Sequence, residues 1–167
     1  MGGHEKRWLD EIVEANETFR GRVDIERLPT AGEPCPYAVV TCMDPRVNLA
    51  AVGVPPFKAN RESQSQIKVI RTLGGMADKR SLVVGIHLAG FKEVAIIMHT
   101  DCGCSVAYSK IDVLIENMKT NLSPERWLKV KAHIGEPFSE ELVRWLRAFQ
   151  DPREAVKKEV ETVKSCP

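Results

Sequence analysis

Cys42-Met43-Asp44-Pro45-Arg46 and His99-Thr100-Asp101-Cys102-Gly103 supply two thiols, one imidazole and a carboxylate–guanidinium pair. Three soft protein ligands are one fewer than a structural zinc site needs, whereas a catalytic zinc keeps one position for water. The two stretches therefore point to an open metal centre with an acidic group beside it. The chemistry such a centre supports is hydration or hydrolysis.

Side chains at i, i+2 and i+4 of an extended chain share a face, so Cys42, Asp44 and Arg46 point the same way if the strand continues that far. Pro45 biases Asp44 towards extended backbone. Asp44 would then sit beside a metal bound by Cys42, within reach of Arg46. His99 and Cys102 are three residues apart, past a strand and entering a helix. A thiol at a helix N-terminus has a lowered pKa and binds as thiolate. Thiolates with imidazole select Zn²⁺ over Mg²⁺, Ca²⁺ or Mn²⁺. Arg46 would keep Asp44 ionised, able to accept the hydrogen bond of zinc-bound hydroxide and orient it. If Asp44 instead swung onto the metal, the site would close, and Arg46 is the group that would hold it off. Cys104 reads as a small buried residue of the following helix rather than a fourth ligand. His87 reads as a core histidine, His4 and His133 as surface residues, and Asp101 as a turn residue. Cys35 and Cys166 read as plain thiols, a disulfide between them being the lesser alternative.

Each stretch follows an apolar run of strand length. Residues 37–41 form one expected strand, 67–71 a second and 94–98 a third, with the turn Thr72-Leu73-Gly74-Gly75 after the second. An apolar helix is expected over 81–89, with Gly90 as its stop. Strand, helix and strand in succession suggest parallel βαβ units with right-handed crossovers, whose sites form at the carboxyl ends of strands. Both motifs lie there. An amphipathic helix over 5–23 carries Trp8, Leu9, Ile12, Val13 and Phe19 at helical spacing and must lie against its own sheet or another subunit. Residues 32–36 read as a turn-rich linker and 53–66 as a surface loop. Further helices are expected over 106–119, from the Ser123-Pro124 cap, from near Ser139, and from the Asp151-Pro152-Arg153-Glu154 capping box to about Lys164.

The whole chain of 167 residues suits one domain with a sizeable core. Its formal net charge of +1 argues against nucleic acid or an anionic membrane as partner. No apolar run has the length to span a bilayer, and the start lacks a signal-peptide core. Five cysteines in an odd pattern suit metal or catalysis better than a disulfide framework. A cytoplasmic location is expected.

Cys42-Met-Asp-Pro-Arg-Val47, Val69-Ile-Arg-Thr-Leu-Gly-Gly75 and His99-Thr-Asp-Cys-Gly103 together resemble the β-class carbonic anhydrases, in element order over roughly residues 5–165. The resemblance implies a zinc lyase that interconverts CO₂ and bicarbonate, with Cys42, His99 and Cys102 as ligands and Asp44–Arg46 as the catalytic dyad. Met43 and Leu73 are the expected walls of the substrate pocket, and the Gly103 backbone N–H an expected aid to the developing oxyanion. It also implies an α/β fold with a central, mostly parallel sheet and flanking helices. Dimers or higher homo-oligomers are implied, with the N-terminal helix packed on a partner subunit. Relatives that hydrolyse CS₂ or COS with the same zinc set provide a second functional expectation, and a non-catalytic zinc scaffold a third. The sequence departs from the family where Thr72-Leu73 replaces the usual Asn-Ala, in the loop at 55–66, and after the last helix. There the family usually continues into one or two further strands, which are expected to be missing here, so that the third strand is expected to keep an open edge.

Overall fold

The computed structural model describes residues 7–22, 34–54 and 67–165. Expectations for His4, the start of the chain, residues 23–33, the loop at 55–66 and Cys166 fall outside the described residues.

The described residues form an α/β fold of three parallel strands and seven α-helices. Strand β1 (Tyr37–Cys42) is central, β2 (Ile67–Thr72) pairs with one side of it and β3 (Glu93–Ile97) with the other. The register places Val39 opposite Val69 and Ala95. A strand covered on both faces should be largely apolar, and β1 is, its one buried hydroxyl, on Thr41, being satisfied by the Ile97 carbonyl. Val39 packs with Leu49 and Val54 on one face, while Val40 packs with Ala77 and Leu82 on the other. Among the described residues, strand β3 lies at one edge of this sheet.

Helix α1 spans Trp8–Arg20 and buries none of its residues in this chain. Trp8 is 77% exposed, and Leu9, Ile12, Val13 and Phe19 are exposed as well. Asp78 caps α2 (Lys79–Val84), which passes through a single wider turn over Gly85–Ala89 and stops at left-handed Gly90. His87 lies in that turn and is exposed, not a core residue. Hydrophobic neighbours suggested burial, but the turn presents this position to solvent.

The helix expected over 106–119 is two helices. Cys102 is the N-cap of α3 (Gly103–Ser109), and α4 (Ile111–Asn121) follows after Lys110 leaves helical geometry. Neither glycine nor proline marks that break. Ser123 caps α5 (Pro124–Ile134), with Pro124 in its first turn, and α6 covers Phe138–Leu146. Asp151 caps α7 (Pro152–Lys164) by accepting from the Arg153 N–H, while Glu154 pairs with Lys157.

Helix α7 is tied to the sheet by a buried carboxylate. Glu159, 2% exposed, accepts from the Ala77 N–H at 2.8 Å and pairs with Arg147. Val163 from the same helix packs on the Val40 cluster. Glu159→Ala would strand a buried N–H and a guanidinium, and the expected cost is about 1–3 kcal/mol. Urea unfolding of the variant, with an unchanged m-value and a lowered midpoint, is the measurement that checks it.

Candidate metal centre

Parallel pairing brings the carboxyl ends of β1 and β3 side by side. Thr41 is opposite Ile97 in the register, and its Oγ1 donates to the Ile97 carbonyl at 2.9 Å. One residue on from Thr41 lies Cys42; two residues on from Ile97 lies His99. The turn after β2 fits beneath them. Gly74 and Gly75 both have positive φ, and a Cβ on Gly75 would approach the Cys42 nitrogen and the Ile97 carbonyl at 3.2 Å. A Cβ on Gly74 would meet Cys104 and Phe149 at 3.0 Å. Glycine is thus required both for the backbone shape and for the close approach.

Cys42, His99 and Cys102 come together here, each ligand atom within 4.8 Å of the others. The two sulfurs are 3.7 Å apart. Two sulfurs at the usual zinc distance, subtending a tetrahedral angle, would be about 3.8 Å apart. His99 Nδ1 lies 2.8 Å from the Thr100 carbonyl. A carbonyl can only accept, so Nδ1 carries the proton and the neutral ring presents its lone pair at Nε2. That nitrogen is buried without a hydrogen-bond partner. An orphaned acceptor facing two thiols is what a soft cation satisfies, so the residues present fit a zinc ion.

The thiols are electrostatically unequal. Burial pushes the Cys42 thiol up, but the Asp44 backbone N–H, His99, Cys102 and the Gly74 backbone together bring it below its ordinary value. Burial and the neighbouring Cys42 raise Cys102, so the lowering expected of a thiol at a helix N-terminus is outweighed here by the loss of solvent. Cys104 is fully buried in α3 and pushed up to about 11, chiefly by burial. It stands outside the ligand set and packs as a small apolar residue, as the sequence suggested.

The strand does not continue through Arg46. It ends at Cys42, and the chain turns at Pro45-Arg46, where the Arg46 N–H donates to Asp44 Oδ1 at 2.9 Å. This tight side-chain turn, rather than extended alternation, brings Asp44 and Arg46 together. The guanidinium grips the carboxylate through Nε (3.0 Å to Oδ1) and Nη2 (2.8 Å to Oδ2). These hydrogen bonds hold Asp44 well below the usual carboxylate range and raise Arg46 in turn. Asp44 Oδ2 is 3.9 Å from His99 Nε2. A carboxylate held ionised by Arg46 thus lies beside the cluster.

Of the other expected site residues, Leu73 is half-buried against the cysteine cluster, with Met76, Val47, Ala148 and Phe149 around it. Met43 is exposed at the rim. Gly103 opens α3 and has free space where a side chain would be. Two residues had no assigned part in the site. Arg71 donates to the carbonyls of Cys42, Asp44 and Val47, pinning the loop that carries the first motif. Its signal was a cation at the carboxyl end of the strand that leads into the glycine turn. Asp101 is indeed in a turn, at φ 52°, but its carboxylate also meets Arg46.

A three-stranded parallel sheet with a Cys-His-Cys cluster at its carboxyl edge defines an α/β protein with the makings of a metal centre. No family model matches the chain. YtiB of Bacillus subtilis, provisionally named a carbonic anhydrase, is 28% identical over 166 residues, covering 95% of this chain and 83% of YtiB. A carbon disulfide hydrolase of Saccharolobus solfataricus is 24% identical over 175 residues, 96% of this chain and 78% of that protein. The crystal structure of β-carbonic anhydrase isoform I from Trichomonas vaginalis superposes with a TM-score of 0.70 at 28% identity. It covers 97% of this chain and 85% of that one. These neighbours point to the β-carbonic anhydrase family, including its carbon disulfide hydrolase relatives.

Removing one thiol tests the ligand set. Cys102→Ala should lose tight zinc binding, seen as metal content after gel filtration. It should also lose the rise in melting temperature that zinc gives the parent, because metal that binds only the folded state stabilises it. Zinc affinity of the parent should fall as pH is lowered, since protons compete for the thiolates and the imidazole.

Proposed function

We propose that this chain is a zinc-dependent carbonic anhydrase that reversibly hydrates CO₂ to bicarbonate. The carrying observation is the Cys42–His99–Cys102 cluster with the Arg46-held carboxylate of Asp44 beside it. Zinc bound by these three groups would supply Lewis acidity and an acidified water at its remaining position.

The chain's own residues have separable tasks in this reading. Cys42 and Cys102 contribute negative charge, and His99 contributes Nε2 because Thr100 takes its other nitrogen. Asp44, kept ionised by Arg46, accepts a hydrogen bond from the attacking group and so fixes its orientation. Leu73, with the apolar side chains around it, keeps one wall of the pocket dry. Met43 contributes at the rim, and the Gly103 N–H, at the start of a helix, offers a donor to an oxyanion.

The wider assignment is a single β-carbonic-anhydrase-like domain over residues 1–167, acting in the cytoplasm as a homodimer or larger homo-oligomer. The exposed apolar stripe of α1 supports the oligomer, since such a stripe is usually covered. Among the described residues no helix is long and apolar enough to cross a membrane.

A second reading keeps the site and changes the substrate. Carbon disulfide hydrolases are among the relatives, and CS₂ and COS are linear triatomics like CO₂. A third is a zinc-binding scaffold without catalysis.

Stopped-flow CO₂ hydration and sulfide release from CS₂, measured on the same zinc-loaded preparation, separate the three readings. The expected outcome is turnover of CO₂ well above that of CS₂. Sulfide release dominating would transfer the assignment to the hydrolases, and zinc without either activity would leave the scaffold. Asp44→Ala should retain zinc and lose roughly 10²-fold or more in kcat. Full activity in that variant would remove Asp44 from the mechanism.

A further inference from the structure

Asp101 lies between the expected ligands His99 and Cys102 in sequence, yet its carboxylate pairs with Arg46 and it stands outside their cluster. Its carboxylate Oδ2 is 2.7 Å from Arg46 Nη1, and its backbone carbonyl accepts from Nη2 at 2.8 Å. With Nε and Nη2 also on Asp44, every nitrogen of the guanidinium is engaged. Such saturation of a planar fork fixes both the position and the tilt of the group. It is notable because the Arg46 side chain is 61% exposed. An exposed arginine held by one carboxylate is loosely placed, since two charges in water gain little from each other and ordering the side chain costs entropy.

The backbone at Asp101 is specialised for this contact. Asp101 and Arg147 are the two non-glycine positions with positive φ among the described residues. That conformation suits aspartate and asparagine better than most residues, and here it turns the carbonyl as well as the carboxylate to Arg46.

We propose that Asp101 is a positioning residue that clamps Arg46, so that Asp44 is held at the edge of the metal cluster and kept out of the ligand set. This rests on the carbonic anhydrase reading for its catalytic consequence, but the structural part stands apart from it. The clamp also links the segment carrying two ligands to the loop carrying the third. Whatever orders residues 99–102 therefore orders Arg46 and, through it, Asp44.

Three variants test this: Asp101→Ala, Asp101→Asn, which preserves the turn preference while removing the charge, and Asp44→Ala combined with Asp101→Ala. Each is loaded with Co²⁺ for its visible spectrum and with Zn²⁺ for kinetics. Asp101→Ala should alter the Co²⁺ bands as Asp44 enters the ligand set, and the added Asp44→Ala should abolish that change. In the zinc proteins, kcat should fall roughly 10- to 100-fold with little change in KM, with Asp101→Asn intermediate. Adding Asp101→Ala to Asp44→Ala should cost nothing more. An unchanged Co²⁺ spectrum in Asp101→Ala, or an equal further loss of kcat in the Asp44→Ala background, would overturn the clamp. If the parent hydrates no CO₂, the carbonic anhydrase reading fails while the Co²⁺ comparison still decides the role of Asp101.

Discussion

Burying two thiols and an unpartnered imidazole nitrogen against one another is unfavourable unless a cation joins them. An isolated buried acceptor costs on the order of 1–3 kcal/mol, and two thiolates side by side repel. The arrangement of Cys42, His99 and Cys102 therefore makes physical sense chiefly as a receptor for a positive ion. Much of the surrounding structure can be understood as holding that receptor together. The Gly74-Gly75 turn lets the chain pass directly under both strand ends, Arg71 ties down three carbonyls of the Cys42 loop, and Thr41 bonds across to Ile97.

The charge balance follows from the same receptor. Two thiolates would neutralise a divalent ion, leaving it a weak acid towards water compared with an all-histidine site. A carboxylate beside the ion compensates only if it stays ionised and stays put. Arg46 contributes to both, and the fold engages its guanidinium from two directions.

The grouping of Cys42, His99 and Cys102 was legible in the sequence because thiols and imidazoles so spaced are uncommon and each set followed an apolar run. The three strands and Gly90 as a helix stop were legible from periodicity and local backbone preference. What escaped was set by tertiary geometry. The break at Lys110 has no punctuating residue, and the exposure of His87 depends on a wider helical turn that hydrophobic spacing does not encode. Asp44 and Arg46 were expected to meet along a strand, but they meet across a turn. Asp101 looked like turn chemistry alone, because its ion pair spans 55 positions of sequence. Arg71 was overlooked for a similar reason: it bonds to backbone carbonyls, which carry no sequence signature.

The buried carboxylate of Glu159 has a wider meaning. It grips Arg147, and the two residues that follow, Ala148 and Phe149, press against the cysteine cluster. Its other bond reaches the backbone just beyond Met76, which lines the same cluster. The rear wall that keeps solvent from the sulfurs is thus braced by the final helix, more than a hundred residues downstream of Cys42. The packing around the sulfurs and the docking of that helix are consequently joined, and loosening either end of the chain's long return path would be felt at the other.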